Sequence, residues 1–201
     1  VELARSHGAR VQEIPSSGFN HGDTRNALMA LATGDHVAFL TQDSVPAGRG
    51  WLAALLHGFT LADDVGLVFG PQRPRDASSP MVRRELLELF ARFGPEQVDR
   101  DAAPGGRAAF FSSANGAVAR WAWERVPFRR VGYAEDMVLA REMLAAGLAK
   151  AYVPDAAVIH AHDLPPLRAF RRYFADFRAL AQVNEELGKL WSEPPLARPD
   201  R

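Results

Sequence analysis

Five stretches carry side chains suited to one kind of chemistry. HVAFLTQDSVP runs an apolar segment, Val37 to Leu40, straight into Thr41, Gln42 and Asp43. A carboxylate at the end of a buried strand suits Mg²⁺ or Mn²⁺, ions usually held by one or two carboxylates plus substrate phosphates. Asp before Ser and Pro is also ordinary turn chemistry. VIHAHD sets His160 and His162 two residues apart, on one side of an extended chain, and imidazole ligates such ions; a lone His is as readily structural. GYAEDMVLAREMLAAG places Glu135 and Asp136 at the start of an apolar-striped segment. Adjacent acids there can be a general base and its orienting partner, or simply the acids that a first helical turn favours. FNHGDTRN brings Asn20, His21 and Arg25 to another helix start, an arrangement that can hold phosphate, or one that is only a capped helix with Asp23 as cap and Arg25 in solvent. FFSSANGAVAR offers Ser112, Ser113 and Asn115, small polar groups that can line a sugar pocket or form a turn.

The elements that must position these groups alternate in type. Strands are expected at Arg10 to Ile14, Val37 to Leu40, Val65 to Phe69, Phe110 to Arg120, Lys150 to Val153 and Ala156 to His160. Helices are expected over Val1 to His7, Asp23 to Ala32, Trp51 to Phe59, Arg83 to Phe93, Trp121 to Arg125, Glu135 to Ala146 and Leu167 to Leu190, with Gly8, Gly34 and Gly147 as stops. Asp99 to Arg107 reads as a mobile loop. The unbroken run Val37 to Leu40 predicts a strand covered on both faces. Strand–helix alternation predicts an α/β sheet, in which ligands bind beyond the carboxyl ends of the strands.

Bulk properties narrow the classes. The 201 residues carry 24 Lys plus Arg and 24 Asp plus Glu, so the net charge is zero and a dedicated nucleic-acid binder is not expected. With no cysteine, disulfides, thiolate catalysis and cysteine-bound zinc are excluded, and a reducing cytoplasm fits. No apolar run has the length of a membrane span.

In this order, FNHGDTRN, LTQDSVP with WLAALL, SSANGAVAR, GYAEDMVLAREMLAAG and VIHAHD together resemble a family-2 glycosyltransferase of the GT-A fold. The branch they resemble most is the bacterial rhamnosyltransferases of polysaccharide synthesis, and the resemblance covers roughly Val1 to Asp163. It implies a Rossmann-like, mixed and mainly parallel sheet flanked by helices, with residues 1–163 as catalytic domain and 164–201 as a C-terminal helix and tail. It implies a nucleotide diphosphate sugar as donor, dTDP-rhamnose favoured, a saccharide or lipid-linked acceptor, and Mg²⁺ or Mn²⁺. Residue by residue, Asp43 becomes the metal-binding acid, His160 the late histidine of the metal site, and Asp136, with Glu135 beside it, the catalytic base. Arg25, Asn20, His21, Thr41 and Gln42 fall on the donor side, and Ser113 and Asn115 near the acceptor. Thr41 stands where a second acid often stands and cannot supply its charge. Donors such as a UDP-hexose, or a binding remnant without turnover, remain open alternatives.

The family's opening strands and the segments that hold base and ribose have no counterpart here. The expectation is therefore a family member lacking its N-terminal portion, either a piece of a longer protein or a short natural form, with a sheet edge left unpaired. At the other end, Leu167, Phe170, Tyr173, Phe174, Phe177 and Ala181 form an apolar helical stripe dressed with Arg168, Arg171, Arg172 and Arg178. Such a helix either closes its own core or makes peripheral contact with an anionic membrane.

Overall fold

A computed structural model describes residues 1–101 and 110–191. The expected loop Asp99 to Arg107 lies largely outside the described residues. In chain order the helices are α1 (Glu2–Ser6), α2 (His21–Leu31), α3 (Trp51–Gly58), α4 (Pro80–Ala91), α5 (Arg120–Arg125), α6 (Glu135–Ala145) and α7 (Pro166–Trp191). The strands are β1 (His36–Leu40), β2 (Val45–Pro46), β3 (Val65–Phe69), β4 (Gln72–Arg73), β5 (Gln97–Asp99), β6 (Asn115–Ala119), β7 (Ala149–Tyr152) and β8 (Val158–Ile159).

The main sheet has the order β1-β6-β3-β7-β5. Strand β6 pairs antiparallel with both β1 and β3, β3 pairs parallel with β7, and β5 closes the far edge antiparallel to β7. Three of the five strands, β1, β3 and β7, therefore share one direction. Their carboxyl ends, Leu40, Phe69 and Tyr152, lie on one rim, and the register Leu40↔Asn115 brings the start of β6 to that same rim. The central strands β3, β6 and β7 are buried along their whole length, as their Val-, Leu-, Phe- and Ala-rich sequences require.

Helices cover both faces. One cluster joins Leu67, Phe69, Val118 and Tyr152 of the sheet to Leu139 and Met143 of α6 and Phe90 of α4. The other joins Val65, Val68, Ala149 and Ala151 to Leu55 of α3. Val65 and Leu67 belong to opposite clusters although two apart, because the register with β7 shifts between them, and an irregularity of that kind re-aims side chains. Gly66 is required there: a Cβ would stand 2.7 Å from that of Ala122.

Two expectations fail for a common reason. Arg10 to Ile14 is irregular chain rather than a strand, and β1, expected to be covered on both faces, is an edge strand with only Phe39 buried. An apolar run states a preference for burial; it does not state how many neighbours the sheet supplies. Phe110 to Arg120 forms a strand only from Asn115, since Ser112, Ser113 and Ala114 turn into it. The short strands β2, β4 and β5 had no periodic signal to announce them. β2, β8 and β4 make a second, three-stranded sheet in that order.

Candidate active site

The small sheet gathers groups that could hold a cation. β2 pairs antiparallel with β8 at Val45↔Ile159, and β4 pairs parallel with β8 at Gln72↔Val158. Continuing that register places the residues before β2 beside those after β8, so Asp43 meets His160 and His162. The His160 Nε2 lies 3.4 Å from Asp43 Oδ1 and the His162 Nδ1 lies 3.7 Å from Asp43 Oδ2. One ligand atom from each residue falls within 4.8 Å of the others. The two imidazoles meet edge to face with centroids 4.7 Å apart, on one side of the chain as the alternation predicts.

The chemistry of this group fits a divalent cation. Burial holds His160 below the ordinary imidazole value, against the pull of Asp43. His162 is lowered too, by burial and then by the charge of Arg172. Burial would raise Asp43, but the Thr41 hydroxyl, His160 and His162 outweigh it and keep the carboxyl below its usual value. Neutral imidazoles beside an ionised carboxylate are ligands in the right protonation state. Gln72 fixes the tautomer: its Nε2 donates to Ser112 Oγ at 3.1 Å, so its Oε1 is left to accept from His160 Nδ1 at 2.8 Å. The lone pair of His160 Nε2 then faces the Asp43 carboxylate with no proton between them, the second-shell arrangement typical of metal-ligating histidine. Arg75 holds both sides of the site, donating to the Asp43 carbonyl at 2.9 Å and the Ala161 carbonyl at 2.5 Å. Gln72 and Arg75 were not singled out from sequence, whereas His162 was read with His160 as one of a pair of possible ligands although the resemblance placed only His160 in the metal site. The first two lack any local signal, because their partners are 32 to 88 residues away.

These groups line one part of a cleft of about 830 Å³ that also receives His21, Arg25, Thr41, Gln42, Ser112, Ser113, Tyr133, Glu135, Asp136 and Arg172. Asp136 sits in the first turn of α6. Its Oδ2 accepts from the Ser113 backbone N–H at 3.0 Å and from the Ser113 hydroxyl at 3.1 Å, and its Oδ1 accepts from the Met137 N–H at 2.9 Å. Ala134, which caps the helix, has φ 55°, the left-handed region that a residue with a Cβ rarely adopts. Strain of that kind sits where a chain must be aimed, here just before Glu135 and Asp136.

Glu135 does not touch Asp136 as an orienting partner would. It is buried and forms an ion pair with Arg25. Burial, followed by the adjacent charge of Asp136, raises the Glu135 carboxyl in spite of Arg25. Arg25 is accordingly not in solvent: it is held by Glu135, and its side chain borders the cleft.

Asn20, Gly22, Asp23 and Asn26 of FNHGDTRN also meet the segment that leads into α6. Asn20, not Asp23, caps α2, accepting from Asp23 N at 3.2 Å, and its Nδ2 donates to the Val131 carbonyl at 2.9 Å. Gly22 is required by close approach, since a Cβ would lie 2.1 Å from the Arg129 carbonyl oxygen. Asp23 pairs with Arg130. Asn26 donates to the Phe128 carbonyl at 2.8 Å and accepts from the Phe128 N–H at 3.0 Å and the Trp123 indole at 2.8 Å. The motif is thus a clasp between α2 and residues 128–135, and Asn20, expected on the donor side, has both ends of its amide occupied by it.

The expected acceptor residues both make contacts within the protein. Asn115 is fully buried; its Oδ1 accepts from the Trp51 indole at 2.8 Å and its Nδ2 donates to the carbonyls of Ala156 and Pro71 at 2.7 and 3.1 Å. It joins α3, β6 and the approach to β8, leaving no donor for a sugar. Ser113 is buried against Asp136 and its hydroxyl donates to that carboxylate at the wall of the cleft.

No family model matches the chain. It is 32% identical over 183 residues to the O-antigen chain rhamnosyltransferase WbaN of Salmonella anatum, covering 86% of this chain and 56% of that protein. It is 31% identical over 172 residues to the O-antigen chain rhamnosyltransferase RfbN of Salmonella typhimurium, covering 80% and 52%. The chain therefore spans about half the length of the curated relatives it matches. Among solved structures, the mannosyltransferase PcManGT of Pyrobaculum calidifontis, in complex with GDP-Man and Mn²⁺, superposes with a TM-score of 0.57 at 22% identity, over 82% of this chain and 43% of that one. Glucosyl-3-phosphoglycerate synthase of Mycobacterium tuberculosis, in complex with Mn²⁺, UDP-glucose and glycerol 3-phosphate, gives 0.55 at 21%, over 93% and 64%. By its likeness to the two rhamnosyltransferases and by the fold it shares with these enzymes, the chain belongs to the family-2 glycosyltransferases of the GT-A fold.

Proposed function

We propose that this chain carries the metal and acid–base part of an inverting rhamnosyltransferase site. It moves a sugar from a nucleotide diphosphate donor, dTDP-rhamnose, to a hydroxyl of a saccharide or lipid-linked acceptor in O-antigen-type polysaccharide synthesis. The observation that carries this reading is the convergence of Asp43, His160 and His162 in the cleft that Asp136 also lines. A divalent cation, Mn²⁺ or Mg²⁺, bound by those three residues would neutralise the departing diphosphate. Asp136, held by Ser113, takes the proton of the acceptor hydroxyl as that oxygen attacks the anomeric carbon. A single displacement from the face opposite the leaving group inverts the configuration. Arg25 and Glu135 fix the start of α6 against α2, so Asp136 is aimed before substrate arrives. The lack of cysteine agrees with a reducing, cytoplasmic setting.

A hexose donor is the second reading, supported by the GDP-Man and UDP-glucose bound by the two fold neighbours. Release of nucleoside diphosphate from a panel of dTDP-rhamnose, UDP-glucose and GDP-mannose, with acceptor present, separates the two. The proposal expects dTDP-rhamnose to turn over best and Asp136→Asn to lose about 10²–10⁴-fold of that rate. An unaffected Asp136→Asn enzyme would place the base elsewhere.

A further inference from the structure

We infer that α7 is a membrane-docking helix whose outward face seats on an anionic lipid surface. The sequence leaves two roles open for its apolar residues, core closure or surface contact, and the structure divides them between two stripes. At about 100° per residue, Ala169, Tyr173, Asp176 and Leu180 share one side of the helix. That side rests on the body: Ala169 is buried, Ala169, Tyr173 and Asp176 share a small cavity with Val82, Glu85 and Leu86 of α4, the Tyr173 hydroxyl donates to Glu85 at 2.5 Å, and Leu180 reaches the cleft. Core closure is thus accomplished without the phenylalanines.

Leu167, Phe170, Phe174 and Phe177 form a second row roughly a quarter to a third of a turn further round the helix and are 62%, 68%, 62% and 70% exposed. Four large apolar side chains in one row are more than the scattered exposure usual on a soluble surface. Arg171 and Arg178 fall directly beside that row, with Arg168 further round, and all three are exposed. The only acid between Pro166 and Ala181 is Asp176, which lies on the body side and pairs with Arg172 at 3.5 Å. An apolar ridge bordered over its first four turns by exposed cations, with Glu185 the next acid along the helix, is complementary to lipid with anionic headgroups: the rings enter the acyl boundary and the guanidiniums meet phosphate. No helix among the described residues is long and apolar enough to cross a membrane, so the contact is peripheral. Because Arg172 and Leu180 of the same helix line the cleft, a docked α7 brings the cleft to the lipid surface. That would serve a lipid-linked acceptor; the docking itself does not depend on the glycosyl-transfer reading.

The test is vesicle flotation of the chain, with no donor or metal, on phosphatidylcholine alone and on phosphatidylcholine mixed with phosphatidylglycerol, at low and high salt. The expected result is recovery with the anionic vesicles, weakened by salt, and little recovery with phosphatidylcholine. The combined variant Phe170→Ser, Phe174→Ser, Phe177→Ser should partition at least tenfold more weakly. Arg171→Glu with Arg178→Glu should lose about tenfold or more, and both variants should keep the native circular dichroism and melting temperature. Failure of the native chain to float with anionic vesicles would overturn the inference, and so would binding that neither variant changes. Equal binding to neutral vesicles would remove its electrostatic half. A dimer seen by light scattering and abolished by the Phe substitutions would assign the ridge to a second copy instead.

Discussion

Ser113 donates two hydrogen bonds to a single oxygen of Asp136, one from its backbone N–H at 3.0 Å and one from its hydroxyl at 3.1 Å. The carboxylate is thereby tied to the segment that leads into β6 as well as to its own helix. Ser113→Ala removes the hydroxyl and keeps the amide. A hydrogen bond to a charged group contributes about 1.5–3 kcal/mol, so kcat should fall roughly tenfold to a hundredfold, with donor KM little changed. Steady-state kinetics beside a melting curve check this. A raised acceptor KM at constant kcat would return Ser113 to the role of acceptor contact.

Asn115→Ala should be a stability variant. It strands the Trp51 indole N–H and the carbonyls of Pro71 and Ala156, and a buried polar group left unpaired costs about 1–3 kcal/mol. Urea titration should show a loss of roughly 3 kcal/mol, and Trp51 emission should shift. A variant as stable as the native chain would mean that these groups find other partners.

Arg25 and Glu135 should behave as a buried pair, being only 13% and 7% exposed in their side chains. Removing one partner of such a pair costs about 3–5 kcal/mol, whereas replacing both with apolar groups is often neutral. Arg25→Met alone should therefore destabilise strongly, and Arg25→Met with Glu135→Leu should recover most of the loss. Additive effects would show that the two charges do not depend on each other.

Glu142 gives a pH signature. Burial raises its carboxyl above the ordinary 4.5 although Arg129 pulls it down. A raised acid binds its proton more tightly in the folded state, so the stability it contributes is full below 4.5 and is lost as pH rises through the folded value. Glu142→Gln removes that dependence. Relative to the native chain, its melting temperature should improve from pH 4.5 toward neutrality. A constant difference across that range would contradict the raised value.

Much of the fold could be read ahead because its signals are local. Val65–Phe69 and Trp51–Gly58 follow from an unbroken apolar run and a helical period, and α6 from its acids at the start and Gly147 after its end. Asp43, His160 and Asp136 were legible as types at meaningful places, and the structure brings all three to one cleft. What stayed hidden depends on distant partners. Asn20 and Arg25 read as donor-side groups with nothing in the sequence to show that Val131 and Glu135 bind them, and Asn115 gives no hint that Trp51 and two carbonyls hold it. Gln72 and Arg75 carry no periodicity at all, yet they orient the imidazole and brace the segments that hold Asp43, His160 and His162 together.

In the proposed site, Asp43, His160 and His162 bind a divalent cation which in turn holds the donor diphosphate. Calorimetric titration of dTDP-rhamnose into the chain, first with Mn²⁺ and then with EDTA, tests it most directly. The expected result is binding that requires Mn²⁺ and disappears in Asp43→Ala while that variant remains folded. Binding that is indifferent to EDTA, or that survives Asp43→Ala unchanged, would contradict it.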